Sequence, residues 1–274
     1  MKWQVAREEK LIAFLQGRLK EHSGKFLRKV LDANSCRING QVERFGSRRL
    51  RRGDQVELAP KWEAVPSNHW TFATLYEDES LRIVNKPAGW VCDPQYAAKT
   101  WGSDWVLVHR LDKETTGTLL LCKPRVREAL FKLFEERQVK KEYLALVDGV
   151  PQRDSGEIRS LLAKKGAFQG QTIWGSSPRG LLAITRWKKI AAHKDSALLQ
   201  IDIETGRTHQ IRVHMAEMGH PILVDRQYAR EFRCPVFCPR ILLHASRLHF
   251  SFQDKIVDVT APLFPDMQQI LRDV

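Results

Sequence analysis

Apolar positions recur at helical spacing in two short segments near the start of the chain. Residues 9–20 place Leu11, Ile12, Leu15 and Leu19 on one stripe, and residues 24–33 do the same with Phe26, Leu27, Val30 and Leu31. Arg28 and Lys29 fall off the second stripe. Ser23 stands where its hydroxyl can accept from an unpaired first-turn amide and cap the second helix. Asn39-Gly40, inside Arg37–Val42, tolerates positive φ at both positions and predicts a tight hairpin. A loop rich in arginine follows (Arg44, Arg48, Arg49, Arg51, Arg52), and Gly53-Asp54 turns the chain into a short strand over 55–58. The pattern predicts a small module of two helices and an arginine-decorated β unit over 1–60.

Residues 60–72 carry Pro60, Pro66, Ser67 and Asn68 and read as a linker, with Trp62 and Trp70 as its anchors. The domain boundaries drawn from this are 1–60, a linker over 61–74, and a second domain over 75–274. Strand texture then dominates. Strands are predicted over 81–84, 106–108, 118–122, 142–147 and 198–203. The strand over 142–147 is apolar on both faces, which places it centrally in a sheet. A helix is expected from Pro124 to about Gln138, and another over 210–218, ending at Gly219 with Thr208 as its N-cap. Residues 151–180 are rich in Gly, Ser and Lys and yield no element. The last strands are expected over 241–252. Strands and helices alternate irregularly, which points to an α+β domain with a large mixed sheet.

Charge sharpens this picture. The 274 residues carry a net charge of +13. Residues 1–60 hold 14 Lys/Arg against 7 Asp/Glu, so more than half the excess sits in the first fifth of the chain. Such an excess attracts polyanions, above all nucleic-acid phosphates. No apolar run is long enough to span a bilayer, and no secretory leader pattern opens the chain. Five cysteines without framework spacing argue against a disulfide scaffold and for a reducing compartment. The expectation is a soluble cytoplasmic protein.

Two segments carry candidate chemistry. Val108–Gly117 (VHRLDKETTG) lies between apolar strands and sets Asp112 beside His109 and Arg110. A partly buried aspartate near an arginine can stay ionised and serve as nucleophile or base. The same residue can equally be a turn aspartate paired with its neighbours. Thr205–His214 (TGRTHQIRVH) opens a helix, where free amides favour an anion. His209 and Arg212, three apart, share a face. They can meet phosphate, Arg212 can pair with Asp112, or both can be solvated. Cys234 and Cys238 near His220 and His244 do not make a strong zinc pattern, so no metal is expected. Lys86 is read as facing either phosphate or solvent.

The string HRLDKETTG resembles the signature of the RluA-type family of pseudouridine synthases. VNKPAG at 84–89, KEYLALVDG at 141–149, TGRTHQIRVHMAEMGHPI at 205–222 and LLHASRLHF at 242–250 resemble its other pieces, in the same order, over roughly residues 75–255. KFLRKVLDANSCRINGQV followed by RRLRRGDQVEL resembles the small αL RNA-binding domain called S-four-like, which commonly precedes the catalytic domain in that family.

The resemblance implies an α+β catalytic domain with a large, mainly antiparallel mixed sheet. It implies a cofactor-free isomerisation in which uridine is flipped out of structured RNA, its glycosidic bond broken and a carbon–carbon bond formed. The essential aspartate falls on Asp112, by attack on the sugar or by proton abstraction. The active-site tyrosine falls on Tyr143 and the motif arginine on Arg212. Arg110 falls on the residue that fills the gap left by the base, with His109 in support. Arg207, His209, Arg28, Arg48, Arg49, Arg51 and Arg52 are the expected RNA contacts. Large-subunit ribosomal RNA is the expected substrate, transfer RNA the runner-up, and a monomer the expected state. Two departures stand out: Val224 precedes Asp225 where the family often has Gly-Asp, and Ser251–Asp254 replaces a familiar His-Pro. The rival classes are a non-catalytic RNA-binding ribosome-assembly factor and a hydrolase. The hydrolase would normally need a second carboxyl group, and Glu114 is expected to point to solvent.

Overall fold

The computed structural model describes residues 1–60, 62, 71–168, 171–229, 231–234 and 236–273. The chain divides into two compact units, residues 1–69 with 230–240, and residues 70–229 with 241–274.

The first unit holds β1 (Lys2–Gln4), β2 (Glu9–Lys10), α1 (Leu11–Arg18), α2 (Gly24–Asp32), β3 (Cys36–Ile38), β4 (Gln41–Val42), β5 (Arg49–Leu50) and β6 (Gln55–Leu58). One sheet runs β1-β6-β3-β4, and β2 pairs with β5. The Ser23 hydroxyl caps α2, accepting from the Phe26 amide at 3.2 Å, a contact worth about 1 kcal/mol. Asn39 (φ 52°) and Gly40 (φ 81°) form the hairpin turn between β3 and β4. Leu11, Leu15, Leu27, Val30 and Leu31 pack with Val56 and Leu58 into one core, and Trp62 is buried against it. Trp70, the other expected anchor, lies outside the described residues. So do 61 and 63–70 of the expected linker, while Ala73 and Thr74 are already strand.

Part of this unit comes from far along the chain, which local patterning does not reveal. Arg37 is buried, and its Nη2 donates to the Val236 carbonyl at 2.6 Å. Its guanidinium lies 3.8 Å from the centre of the Phe237 ring. Gln41 also donates to Glu231 at 2.7 Å.

The second unit contains β7 (Ala73–Glu77), β8 (Leu81–Lys86), α3 (Pro94–Trp101), β9 (Val106–Leu107) and β10 (Thr116–Cys122). A 3-10 turn (Pro124–Val126) leads into α4 (Arg127–Glu135), followed by β11 (Lys140–Asp148), β12 (Ser155–Phe168), β13 (Gln171–Ser176), β14 (Leu181–Ala192) and β15 (Ser196–Ile203). Then come α5 (Gln210–Glu217), β16 (Leu243–Phe252), β17 (Lys255–Thr260) and α6 (Pro265–Asp273). The strands make one sheet in the order β13-β12-β14-β15-β11-β16-β10-β8-β7, with β17 beside β16 and β9 beside β10. Only the β10–β16 pair is parallel among these pairings. The architecture is therefore α+β with a large, mainly antiparallel mixed sheet.

The apolar run at 142–147 lies in β11, between β15 and β16, where both faces are covered. The segment over 151–180 is the long β12–β13 hairpin and its return into β14. Its lysines and glycines mask strand periodicity because most of β12 faces solvent. β17 and α6 follow the strand expected to be last.

The parallel pairing explains one residue of the motif loop. Gly117 has φ 112°, and a Cβ there would run into the Ala245 backbone across the β10–β16 pair. Glycine meets both demands at once.

Candidate active site

The motif loop leaves β9, passes through Asp112 and enters β10. It is pinned at nearly every residue. The Leu120 amide donates to His109 Nε2 at 3.0 Å, and the His109 ring stacks on Phe134 with centroids 5.2 Å apart. Burial, helped by the Lys141 charge, lowers His109 to about 3, so it is a neutral acceptor. The Leu111 amide donates to Cys92 Sγ at 3.3 Å. The Lys113 carbonyl accepts from the Gly89 amide at 2.7 Å and from Lys86 Nζ at 3.1 Å. The Thr115 amide closes the turn onto the Asp112 carbonyl at 3.1 Å.

Three expectations are corrected here. His109, expected in support of the RNA contacts, is turned onto α4 and holds the loop to β10. Lys86 faces neither phosphate nor solvent. It is fully buried and also donates to the Pro87 carbonyl at 2.8 Å. Glu114 does not point freely to solvent, because its Oε2 accepts the Ile241 amide at 3.3 Å. These are ties within the frame, which is why a loop between strands can present one carboxylate in a fixed place.

The start of α5 is built differently from the expected Thr208 cap. His209 occupies the N-cap position in the left-handed region (φ 56°), with no side-chain cap. Gln210 organises the turn from inside. It accepts from Thr205 Oγ1 at 2.7 Å and from the Arg207 amide at 3.1 Å, and donates to the Ile184 carbonyl at 2.9 Å. His214 bridges to Thr185 at 2.8 Å and to Ser160 at 2.9 Å, tying α5 onto the sheet. Arg207 is drawn down by the same packing, its Nε donating to the Leu182 carbonyl at 3.0 Å.

Both segments converge on Asp112. Arg212 Nη1 lies 3.3 Å from Asp112 Oδ2, and His209 Nε2 lies 3.7 Å from the same oxygen. Arg212 is itself held by Asp225, through Nε–Oδ2 at 2.6 Å and Nη2–Oδ1 at 2.8 Å, and by Gln227 Oε1 at 2.7 Å. Tyr228 completes the support. Its ring lies 5.1 Å from the guanidinium carbon, and its hydroxyl is 2.7 Å from His209 Nδ1. The Asp112 side chain remains 19% exposed, enough for a ligand to reach it.

The electrostatics follow from burial. Burial opposes the Arg212 cation, but the charge and hydrogen bonds of Asp225, joined by Asp112, outweigh it and hold the guanidinium above its ordinary pKa. Burial, then Arg212, lowers His209, and the Asp112 charge only partly offsets this. Tyr143 on β11 is buried. Burial first, then Asp112 and Cys92, push its phenol above its ordinary value, so it is a neutral ring beside a carboxylate. A carboxylate next to a permanent cation, a neutral tyrosine and a weakly basic imidazole can act as nucleophile or base. Among the described residues no three His, Cys, Asp or Glu side chains are grouped to hold a metal ion. His220 bonds the Asp148 carbonyl at 2.9 Å, and His244 bonds Thr116 at 2.8 Å.

The family model for RNA pseudouridylate synthase matches residues 80–217, which contain Asp112, Tyr143 and Arg212. An Aquifex aeolicus protein described as an uncharacterized RNA pseudouridine synthase is 32% identical over 81% of this chain and 77% of its own length. The chain belongs to the RNA pseudouridylate synthase family. Ribosomal large subunit pseudouridine synthase D of Zymomonas mobilis is 33% identical over 72% of this chain and 71% of its own. Ribosomal large subunit pseudouridine synthase C of Escherichia coli is 30% identical over 94% of this chain and 91% of its own. These relatives place the chain in the RluA-type group, and its activity is that of an RNA pseudouridine synthase. Two solved human proteins, RNA Pseudouridylate Synthase Domain Containing 1 and 4, share the fold, with TM-scores of 0.63 and 0.62. They cover 76% and 73% of this chain and 96% and 92% of their own, at 22% and 24% identity.

The synthase thus brings Asp112, Tyr143, His209 and Arg212 together, while Arg110 stays exposed on the loop beside them. Arg28, Arg48, Arg49, Arg51 and Arg52 are exposed on the other unit. Asp225, Gln227, Tyr228 and Cys92 are the site residues that sequence reasoning missed. One signal for Asp225 was present, namely the Gly-Asp pair of which this chain keeps only the Asp. Val224, in the glycine's place, has φ 69° while buried, a conformation that costs a β-branched residue about 1–2 kcal/mol. No helix among the described residues is long and apolar enough to cross a membrane.

Proposed function

We propose that this synthase isomerises uridine in large-subunit ribosomal RNA, with Asp112 as the catalytic carboxylate. The observation that carries the proposal is the 3.3 Å contact between Asp112 and an Arg212 that is already fixed by Asp225. Fixing the cation first holds the carboxylate in one place in a partly buried pocket, where attack on C1′ or removal of a ribose proton is within the chemistry of a carboxylate. The target base leaves the RNA stack to reach it, and Arg110, exposed on the loop beside Asp112, fills the space it leaves. Tyr143 stacks on the flipped base as a neutral ring. The reaction breaks the N1–C1′ bond, forms C5–C1′, and moves one proton from C5 to N1. His209 backs Asp112 from the α5 side.

The first unit acts as an S-four-like RNA-binding domain. Two helices, a small sheet and five exposed arginines (Arg28, Arg48, Arg49, Arg51, Arg52) support that reading, because such a face neutralises phosphates without reading sequence. The ribosomal target rests on relatives named for the large ribosomal subunit. The test is pseudouridine mapping of RNA from cells lacking the gene, complemented with wild type or with Asp112→Asn. Wild type should restore a site in large-subunit ribosomal RNA and the variant should not. Restoration by Asp112→Asn would overturn the assignment of Asp112, and restoration only in another RNA would overturn the target.

A further inference from the structure

Lys141 is the second residue of β11 and stands two residues before Tyr143, so the two side chains lie on the same face of the strand. It is half-buried. Its Nζ is 5.7 Å from the centre of the Phe134 ring, and 3.7 Å from where a Cβ on Gly206 would stand. His109, stacked on the same ring, feels its charge but is neutral. Across the sheet, Lys141 is in register with Leu248, which is core. The carboxylate just before the Gly206 turn, Glu204, is taken by Arg186 at 2.8 Å and Arg137 at 3.5 Å. Among the described residues no acid and no hydrogen-bond acceptor partners the Lys141 ammonium.

An ammonium half out of water with no counter-charge is unfavourable, and proteins retain such groups where a ligand supplies the anion. We infer that Lys141 binds a phosphodiester of the substrate RNA next to the flipped nucleotide and positions that nucleotide over Tyr143 and Asp112. Two strand residues, about 7 Å, separate Lys141 from Tyr143, which suits the span from a base to its own backbone phosphate. The lysine is a positioning residue and takes no part in bond making. This assignment rests on the Asp112–Tyr143 pocket as the reaction site.

Burial lowers the Lys141 ammonium to about 8 in the free protein, with no carboxylate to offset it. A bound phosphate raises it again, so RNA affinity falls as the pH climbs through about 8 and upward. Arginine stays charged throughout that range.

The test uses the full-length protein and total RNA from cells lacking the gene, with conversion followed at whichever uridine the wild type modifies. Lys141→Met should raise KM roughly tenfold or more and leave kcat within about threefold. The salt dependence of log KM should become shallower by about one phosphate contact. Lys141→Met should melt at or above the wild-type temperature, since it removes an unpaired charge. Wild-type KM should rise between pH 7.5 and 9.5, while the KM of Lys141→Arg stays level. A Met variant with wild-type KM and salt slope overturns the inference, whatever its melting temperature. If Lys141→Met folds poorly, the pH profile of Lys141→Arg decides, and a profile that matches wild type also overturns it. Which RNA carries the converted uridine is read from wild type alone, so failure of the ribosomal target is scored separately.

Discussion

Asp225 grips Arg212 with two parallel hydrogen bonds, Nε to Oδ2 at 2.6 Å and Nη2 to Oδ1 at 2.8 Å, and so leaves Nη1 as the atom presented to Asp112. Both partners are buried. Removing the carboxylate strands the cation, and breaking one side of a buried pair costs roughly 3–5 kcal/mol. Asp225→Ala should lose about that much in chemical denaturation. Asp225→Asn keeps the shape but lets Arg212 swing, and a misplacement of about 1 Å can cost about a hundredfold in kcat. Single-turnover conversion by Asp225→Asn at wild-type speed would show that Arg212 needs no such clamp.

His109 makes a prediction about acid stability. Its pKa is about 3 in the folded protein against an ordinary value of 6.5. Between those values the unfolded chain holds one proton more on this residue, so stability falls as the pH drops from 6.5 towards 3, by up to roughly 1.4 kcal/mol per pH unit. His109→Gln can still accept the Leu120 amide but has no proton to gain. Urea unfolding from pH 7 to pH 4 should show a shallower decline for the variant than for wild type. Parallel declines would mean that His109 is not held neutral.

Gly117 should be intolerant of even a methyl group. Gly117→Ala both adopts a disfavoured φ of 112° and drives its Cβ into the Ala245 backbone. The loss should exceed about 3 kcal/mol, seen as a collapse in melting temperature or as insoluble protein. A normal melting curve would show that β10 and β16 can separate without cost.

Val224 should invert a familiar order. Glycine usually trails alanine by about 0.5–1 kcal/mol because of its greater freedom when unfolded. At φ 69° the alanine keeps the strain and the glycine relieves it. Val224→Gly should therefore match or exceed Val224→Ala in stability, measured by thermal melting. An alanine variant more stable than the glycine variant would place the strain elsewhere.

Much of the scaffold was legible one element at a time, because it depends on local physics. The two amphipathic helices, the Ser23 cap and the Asn39-Gly40 turn are each set by residues within a few positions of one another. The apolar run in β11 announced a central strand for the same reason. The β12–β13 hairpin was not legible, since lysines and glycines on solvent-facing positions erase the period-two signal. The inward turn of His109 was hidden because a histidine looks alike whether it meets phosphate or accepts a backbone amide. Glu114 was hidden likewise, for its partner at Ile241 is more than a hundred residues away.

What the sequence by itself determined is the set of ordered motifs, and with them the family and the choice of Asp112, Tyr143 and Arg212 as candidates for the site. It also determined that the first 60 residues are a basic module, since charge and helical spacing need no partner to be read. Tertiary structure alone decided which atom of Arg212 faces Asp112, because Asp225 and Gln227 reach it from a different segment. It alone decided that residues 230–240 complete the first unit around Arg37, and that Lys141 is left without a counter-ion on the face of Tyr143. The reason is common to all three. Hydrogen bonds and ion pairs act over a few ångströms, and only folding brings residues of separate segments within that range or keeps them out of it.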